Sequence, residues 1–310
     1  MNTFPLKSTL RITITIALTA SGFALTNQVL AVECGDVITA PATLNQNLIC
    51  ELTEDSPYGL TIIGPTGNLT MIDGGGVTCD NSSGDGIGGI LLEGFSGLVT
   101  GGEIIKCLNG IIVAGDGFHS VLDAQISDTG RDAILINSHN NTITGNHIIG
   151  TEFDDGIDVK GSNNFISQNK IEASNDEGIL IDAGADFNFI LLNWIKGSID
   201  GDDGIDIKGN YTTVSQNHVT QSYDNGISLS ENVENSLVVQ NTVSGNGIGG
   251  LLDSAGINIT GFNNINNSII GNSALNNSAF DLKDSSDPTC TGVNTWEGNL
   301  FTTSDPACLD

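Results

Sequence analysis

The sequence predicts an all-β chain wound as a parallel β-helix, a solenoid of about ten rungs with capped ends. Three observations carry that expectation. Short apolar runs recur at near-constant spacing, asparagines recur at a second fixed phase, and the composition favours tight turns over helices. Of 310 residues 40 are Gly, only 6 are Pro, and aromatic residues make up 5%.

The apolar runs are GIIVA from Gly110, AILIN from Ala133, GIDVK from Gly156, GILID from Gly178, GIDIK from Gly204, GISLS from Gly226, GINIT from Gly256 and AFDLK from Ala279. Their starts are separated by 23, 23, 22, 26, 22, 30 and 23 residues. GILLE from Gly89 and GLTII from Gly59 extend the series towards the N-terminus. Apolar and variable residues alternate within each run, so Ile134, Ile157, Ile179, Ile205, Ile227 and Ile257 share one face of a strand. The second phase is Asn146, Asn169, Asn193, Asn217, Asn241 and Asn272, each with an apolar or small residue two positions on. Five residues before them stand Asn141, Asn164, Asn188, Thr212, Ser236 and Asn267. A carboxamide both donates and accepts, so one Asn per coil at constant phase builds a ladder whose neighbours satisfy one another.

Outside the repeat, residues 1–31 read as a secretory signal. Lys7 and Arg11 precede an apolar stretch from Ile12 to Leu25, with Val29 and Ala31 at the small-residue positions before cleavage. Residues 32–58 and 284–310 are expected to cap a solenoid spanning 59–283, because an uncapped end exposes strand edges and core. Export makes the six cysteines disulfides, paired by nearness as Cys34 with Cys50, Cys79 with Cys107 and Cys290 with Cys308. The mature protein is expected outside the cytoplasm, whether secreted, periplasmic or on the cell surface, with no membrane insertion of the mature chain. Longer intervals, Gly59 to Gly89, Gly178 to Gly204 and Gly226 to Gly256, mark insertions that protrude from turns.

Charge decides the partner class. With 37 acids against 9 basic residues the formal charge is −28, and removal of Lys7 and Arg11 with the signal makes it −30. Such a surface offers no basic track for nucleic acid or anionic membranes. Much of this charge falls in phase with the repeat. Two positions before the run starts stand Arg131, Asp154, Asp176, Asp202 and Asp224; one position before stand Asp132, Asp155, Glu177, Asp203 and Asn225. Asp158 and Asp206 follow on the outward strand face, then Lys160 and Lys208. Carboxylates stacked at rung spacing of ~4.8 Å repel one another, and a hard cation such as Ca²⁺ would offset that. The candidate metal ligands are Asp154, Asp176, Asp202 and Asp224. The plainer reading makes these Asp residues turn formers that bond backbone amides.

The pattern GI-D/S/N-I/V followed by NN-x-I-x-x-N-x-I, over about residues 59–283, resembles the right-handed parallel β-helix proteins of the pectate-lyase-like superfamily and its NosD-like members. The right hand is what that resemblance implies. It also implies two functions: binding or processing of extracellular polysaccharide, or a non-catalytic structural or adhesive role at a surface. The segment GDDGIDIK is similar to the double-Asp strand entrance of polygalacturonase-type glycosidases, without that family's companion His and Arg-x-Lys elements. A glycosidase would use Asp154, Asp155, Asp202 and Asp203 as paired carboxylates. A lyase or epimerase would use Ca²⁺ with Lys160 or Lys208 as base and Arg131 on the substrate. Lys170, Trp194 and His218, each just after the Asn ladder, form a candidate platform for stacking a sugar ring. NosD-like proteins are associated with copper-site maturation, but four His and two Met supply few ligands for it.

Overall fold

The computed structural model describes residues 31–80, 87–198 and 202–309; the signal-peptide expectation lies outside them, apart from Ala31. Every coil of residues 32–310 contributes a short strand to up to three parallel sheets. A representative coil runs through Ile157–Val159 in sheet A, Phe165–Ser167 in sheet B and Lys170–Ser174 in sheet C. Among the described residues sheet A holds 12 strands, sheet B 11 and sheet C 10, all paired in parallel with the preceding and following coil. That makes about eleven turns. No helix among the described residues is long and apolar enough to cross a membrane.

The register is the one the periodicities require. Ile134 pairs with Ile157, Ile157 with Ile179, Ile179 with Ile205 and Ile205 with Ile227, and all are fully buried. Sheet B adds Ile143, Ile166, Ile190, Val214 and Val238, and sheet C adds Ile148, Ile171, Ile195, Val219 and Val243. Each coil thus buries its apolar residues against identical positions above and below, the quasi-one-dimensional core of a solenoid. The recurrent Gly has a steric cause. A Cβ on Gly178 would stand 2.5 Å from the Gly204 carbonyl oxygen, and one on Gly204 would stand 2.7 Å from that of Gly226.

The turn between sheets B and C is closed by the expected amide ladder. Asn146, Asn169, Asn193, Asn217, Asn241 and Asn272 each donate from Nδ2 to the Oδ1 of the next Asn at 2.9–3.0 Å, and Asn299 ends the series. Each Oδ1 also accepts the backbone N–H of the preceding Asn, as Asn217 does from Asn193 at 2.9 Å. A parallel series before sheet B runs through Asn141, Asn164 and Asn188, then Thr212, Ser236, Asn267 and Asn294.

The ends differ from a cap without repeat. Residues 36–51 form a full coil whose strands pair as Asp36 with Leu60, Pro41 with Asn68 and Cys50 with Cys79. Gly35 takes the glycine position of this coil, in register with Gly59, and Asp36 stands where Leu60 and Ile90 stand in the next two. At the other end Thr295–Glu297 and Ser304–Asp305 extend sheets B and A. Disulfides join Cys34 to Cys50, Cys79 to Cys107 and Cys290 to Cys308.

Asn193 tests the ladder. Asn193→Ala removes the donor to the buried Ile166 carbonyl and the acceptor of both the Asn169 N–H and its Nδ2. Urea unfolding should report a loss of about 3 kcal/mol, whereas the exposed Thr242→Ala should change stability by less than about 0.5 kcal/mol.

Candidate acidic flank and aromatic platform

Sheet C strands lead into sheet A through a turn that carries acids in two columns. The outer column, Asp154, Asp176, Asp202 and Asp224, is half-buried. The inner column, Asp132, Asp155, Glu177 and Asp203, is buried. The inner column acts as a third ladder in which carboxylates stand where amides stand elsewhere. Asp155 Oδ1 accepts the Glu177 N–H at 3.0 Å, Asp203 Oδ1 accepts that of Asn225 at 2.7 Å, and Asn225 Oδ1 accepts that of Ala255 at 2.8 Å. A carboxylate cannot return the donation that an amide makes, so neighbouring rungs meet oxygen to oxygen.

The columns converge. Carboxylate oxygens of Asp154, Asp155 and Asp176 lie within 4.8 Å of one another, as do those of Asp176, Glu177 and Asp202 and those of Asp202, Asp203 and Asp224. Asp132, Asp155 and Asp158 form a further group, entirely buried. Burial, then the charges of Asp158 and Asp154, pushes the Asp132 carboxyl up to about 7. Burial with Asp176 and Asp206 raises Asp202 to about 6. Asp155, Glu177 and Asp203 are also raised, first by burial and then by acidic neighbours.

The lysines expected as bases sit among these acids. Lys160 Nζ bonds Asp158 and stands 3.6 Å from Asp182; Lys208 Nζ stands 3.1 Å from Asp206 and 3.8 Å from Glu177. Burial lowers both ammonium groups, but the ion pairs outweigh it and hold them above the ordinary lysine value. Arg131 is exposed at the head of the outer column and stabilises the charged form of Asp154.

The second set of candidates is assembled on sheet C, where Lys170 pairs with Trp194 and Trp194 with His218. Lys170 Nζ lies 5.1 Å from the indole centroid, and the His218 ring lies nearly parallel to the indole at 6.5 Å between centroids. Glu172 binds both Lys170 and His147 Nε2. This platform stands at the start of the strand Trp194–Ser198 and the acids beyond its end, so the two groups are separated by about 13 Å of strand or more.

Two features were not singled out by sequence reasoning. Asp158 and Asp206, expected on an outward face, are buried there. Sheet B carries exposed aromatics: Phe165 pairs with Phe189, and Phe187 stacks on Tyr211 at 4.7 Å and 6°. The available signal for the second was a bulky residue at the left-handed turn position that Asn140 and Asn163 hold in other coils, with φ of 60° at Phe187 and 54° at Tyr211. The long interval after Gly226 places an apolar tip, Ile248, Leu251 and Leu252, beyond the last acid, and Lys283 Nζ holds its Asp253 at 2.7 Å.

The raised acids set a pH dependence. A carboxyl with a higher pKa folded than unfolded binds more protons when folded, so stability falls as pH rises between the two values. In chelator, the contribution of Asp132 is lost between about 4 and about 7. The melting temperature should therefore fall across that window, and Asp132→Asn should flatten the fall; a steeper fall in Asp132→Asn contradicts the assignment.

Comparison with known proteins follows from this geometry. The profile of a family described as periplasmic copper-binding protein (NosD) matches residues 48–208 and 81–307. No curated protein matches the chain in sequence. Among solved structures, the mannuronan C-5 epimerase AlgE4 A-module of Azotobacter vinelandii is 12% identical, with a TM-score of 0.66 over 85% of this chain and 80% of that one. The periplasmic alginate epimerase AlgG is 15% identical, with a TM-score of 0.56 over 82% and 66%. The Dettilon tailspike protein is 16% identical, with a TM-score of 0.59 over 85% and 58%. At these identities the likeness is one of fold, a right-handed parallel β-helix. The family description raises copper, which favours imidazole, thiolate and thioether ligands. Every cysteine is in a disulfide, and the buried His119 uses both ring nitrogens on Gly97 N and Ala114 O. His147 and His218 stand three rungs apart, ~14 Å. The described residues do not fit a copper centre, although the repeat, its register and the matched span make the chain a member of the NosD family.

Proposed function

We propose that this protein binds an acidic extracellular polysaccharide along the sheet A flank, with Ca²⁺ held by the outer column as the bridge. The observation that carries this reading is the outer column itself. Asp154, Asp176, Asp202 and Asp224 follow one another rung by rung, half-exposed, with oxygens close enough to share cations. A column of anions repels an acidic glycan until a hard cation joins the two, and exported proteins meet Ca²⁺. The fold is shared with mannuronan and alginate epimerases, which supports acidic polysaccharide as the class. Trp194, braced by Lys170 and His218, offers a stacking face for a sugar ring at the far edge of sheet C, and Arg131 offers a positive charge at the head of the flank.

For chemistry on the bound chain, the carboxyls suit hydrolysis better than the lysines suit proton abstraction. With no cation on it, Asp202, raised to about 6, is protonated often enough near neutrality to act as a general acid, and its oxygen lies within 4.8 Å of those of its neighbours. Such closeness approaches the ~5–5.5 Å of retaining glycosidases. Asp203 is the candidate partner within that reach, and Asp154 with Asp155 form the corresponding pair two coils away. Lys160 and Lys208, kept cationic, neutralise Asp158 and Asp206 instead of serving as bases.

A panel of uronate-rich and neutral polysaccharides, with Ca²⁺ or with chelator, tests the proposal. Retention of uronate polymers should require Ca²⁺ and be lost in Asp176→Asn with Asp224→Asn. Trp194→Ala should weaken glycan binding roughly fivefold without lowering the melting temperature. New reducing ends abolished by Asp154→Asn with Asp202→Asn would establish hydrolysis, and ultraviolet-absorbing unsaturated ends would establish elimination. Binding without either leaves a non-catalytic binding protein. Retention of no polymer overturns the proposal in favour of a structural or adhesive surface protein.

A further inference from the structure

The group Asp132, Asp155 and Asp158 differs from the outer column in being buried throughout. Asp158 is only 4% exposed, and its Oδ1 has no hydrogen-bond partner. Its neighbours in sheet register are Leu135 on one coil and Leu180 on the other, which offer no donor and keep water away. Its Oδ2 is taken by Lys160. Asp132 and Asp155, 4% and 2% exposed, bring carboxylate oxygens within 4.8 Å of it. One ammonium therefore faces three buried carboxyls.

Two coils on, the same position provides an internal comparison. Asp206 is equally buried and pairs through Oδ2 with Lys208, but its Oδ1 accepts the Ser230 hydroxyl at 2.7 Å. Ser230 lies beside Lys208 on the next coil, and the matching residue beside Lys160 is Asp182. A carboxylate stands where a hydroxyl donor would complete the site. It adds charge and leaves Oδ1 unanswered. A buried carboxylate oxygen is costly without a partner, and among these residues none can donate to it while ionised.

We infer that Asp132, Asp155 and Asp158 hold one hard divalent cation of the size of Ca²⁺, inside the fold and apart from the outer column. Two donors each 2.3–2.6 Å from Ca²⁺ can lie up to about 5.2 Å apart, and the three oxygens, all within 4.8 Å of one another, fall inside that reach. The group contains no imidazole or thiolate, so a soft metal has no ligand there. The site would fasten three consecutive coils, those of Asp132, Asp155 with Asp158, and, through the Asp155 bond to the Glu177 N–H, the next one.

Metal-free protein titrated with CaCl₂ alone, followed by calorimetry and thermal melting, tests the site without any glycan, so failure of the polysaccharide reading leaves the result interpretable. Asp158→Asn should lose one bound equivalent of Ca²⁺, while Asp176→Asn with Asp224→Asn should retain it. Asp182→Ser restores the hydroxyl that serves Asp206. It should raise the melting temperature of the metal-free protein and weaken the inner equivalent roughly tenfold. The same stoichiometry and affinity in Asp158→Asn as in the unaltered protein would overturn the inference. So would the absence of any Ca²⁺ binding up to about 10 mM, or equal binding of Mg²⁺, whose donors must come closer. Should Asp158→Asn fail to fold, an unchanged Ca²⁺ affinity in Asp182→Ser overturns it equally.

Discussion

The structure depends on one constraint: a polar group buried in a turn can be satisfied only by the coil above or below it. Sheet hydrogen bonds run between coils, so each turn must also find its partners along the solenoid. Asparagine meets this demand because one side chain accepts from the preceding coil and donates to the next. The six bonds from Asn146 to Asn299 show that economy without interruption. The apolar stacks need only shape, whereas the amide ladder needs register, and it is the ladder that forbids a slipped coil.

The acidic flank is a related device run the other way, each carboxylate accepting from the coil that follows it and donating nothing. Asn225 at the end of the inner column accepts in the same direction, from the Ala255 N–H and the Asn258 Nδ2 of the following coil. Asp132, Asp155 and Asp203 keep the accepting half, and none of these carboxylates can supply the donating half. Each such replacement leaves two oxygens facing each other across a rung, and a proton or a cation must come between them. Burial pushes the carboxyls up, while the acids around Lys160 and Lys208 hold both ammonium groups charged against the effect of burial. Fold stability and site chemistry thus rest on the same residues, and a change in bound cation is felt by the coil register.

Much of this was legible in the sequence because the solenoid converts three-dimensional neighbours into a fixed sequence interval. Ile157, Ile179 and Ile205 announce the core by spacing alone, and Asn169 and Asn193 announce the ladder. The outer acids are equally regular. The first coil was not legible, since the charged Asp36 follows Gly35 where the other coils have an apolar residue, and its one inward apolar residue, Ile38, looks like any loop residue. The burial of Asp158 was hidden for a different reason. Strand alternation correctly puts it outward, but its exposure depends on Leu135, Leu180 and the path of Lys160, which belong partly to other coils. Phe187 and Tyr211 likewise sit 24 residues apart in a turn where Asn is the usual occupant, and their stacking is a property of neither turn alone.

Membership of a family described by copper and a flank made of carboxylates are reconciled by asking what each part of the coil fixes. The repeat fixes inward residues and turn amides, and these carry the family match. Outward positions and the residues before sheet A are free to vary in chemistry so long as the backbone N–H of the next coil is accepted. Asn and Asp both meet that condition, as Asn225 and Asp203 show. A run of coils can therefore pass from a neutral ladder to an anionic one without altering the fold. Once it does, ligand softness decides the metal: oxygen-only groups select hard cations, and the histidines, spread over separate coils or closed by backbone bonds, cannot redirect that choice. The scaffold is the family's, and the groups of acids between Asp132 and Asp224 offer oxygen donors alone.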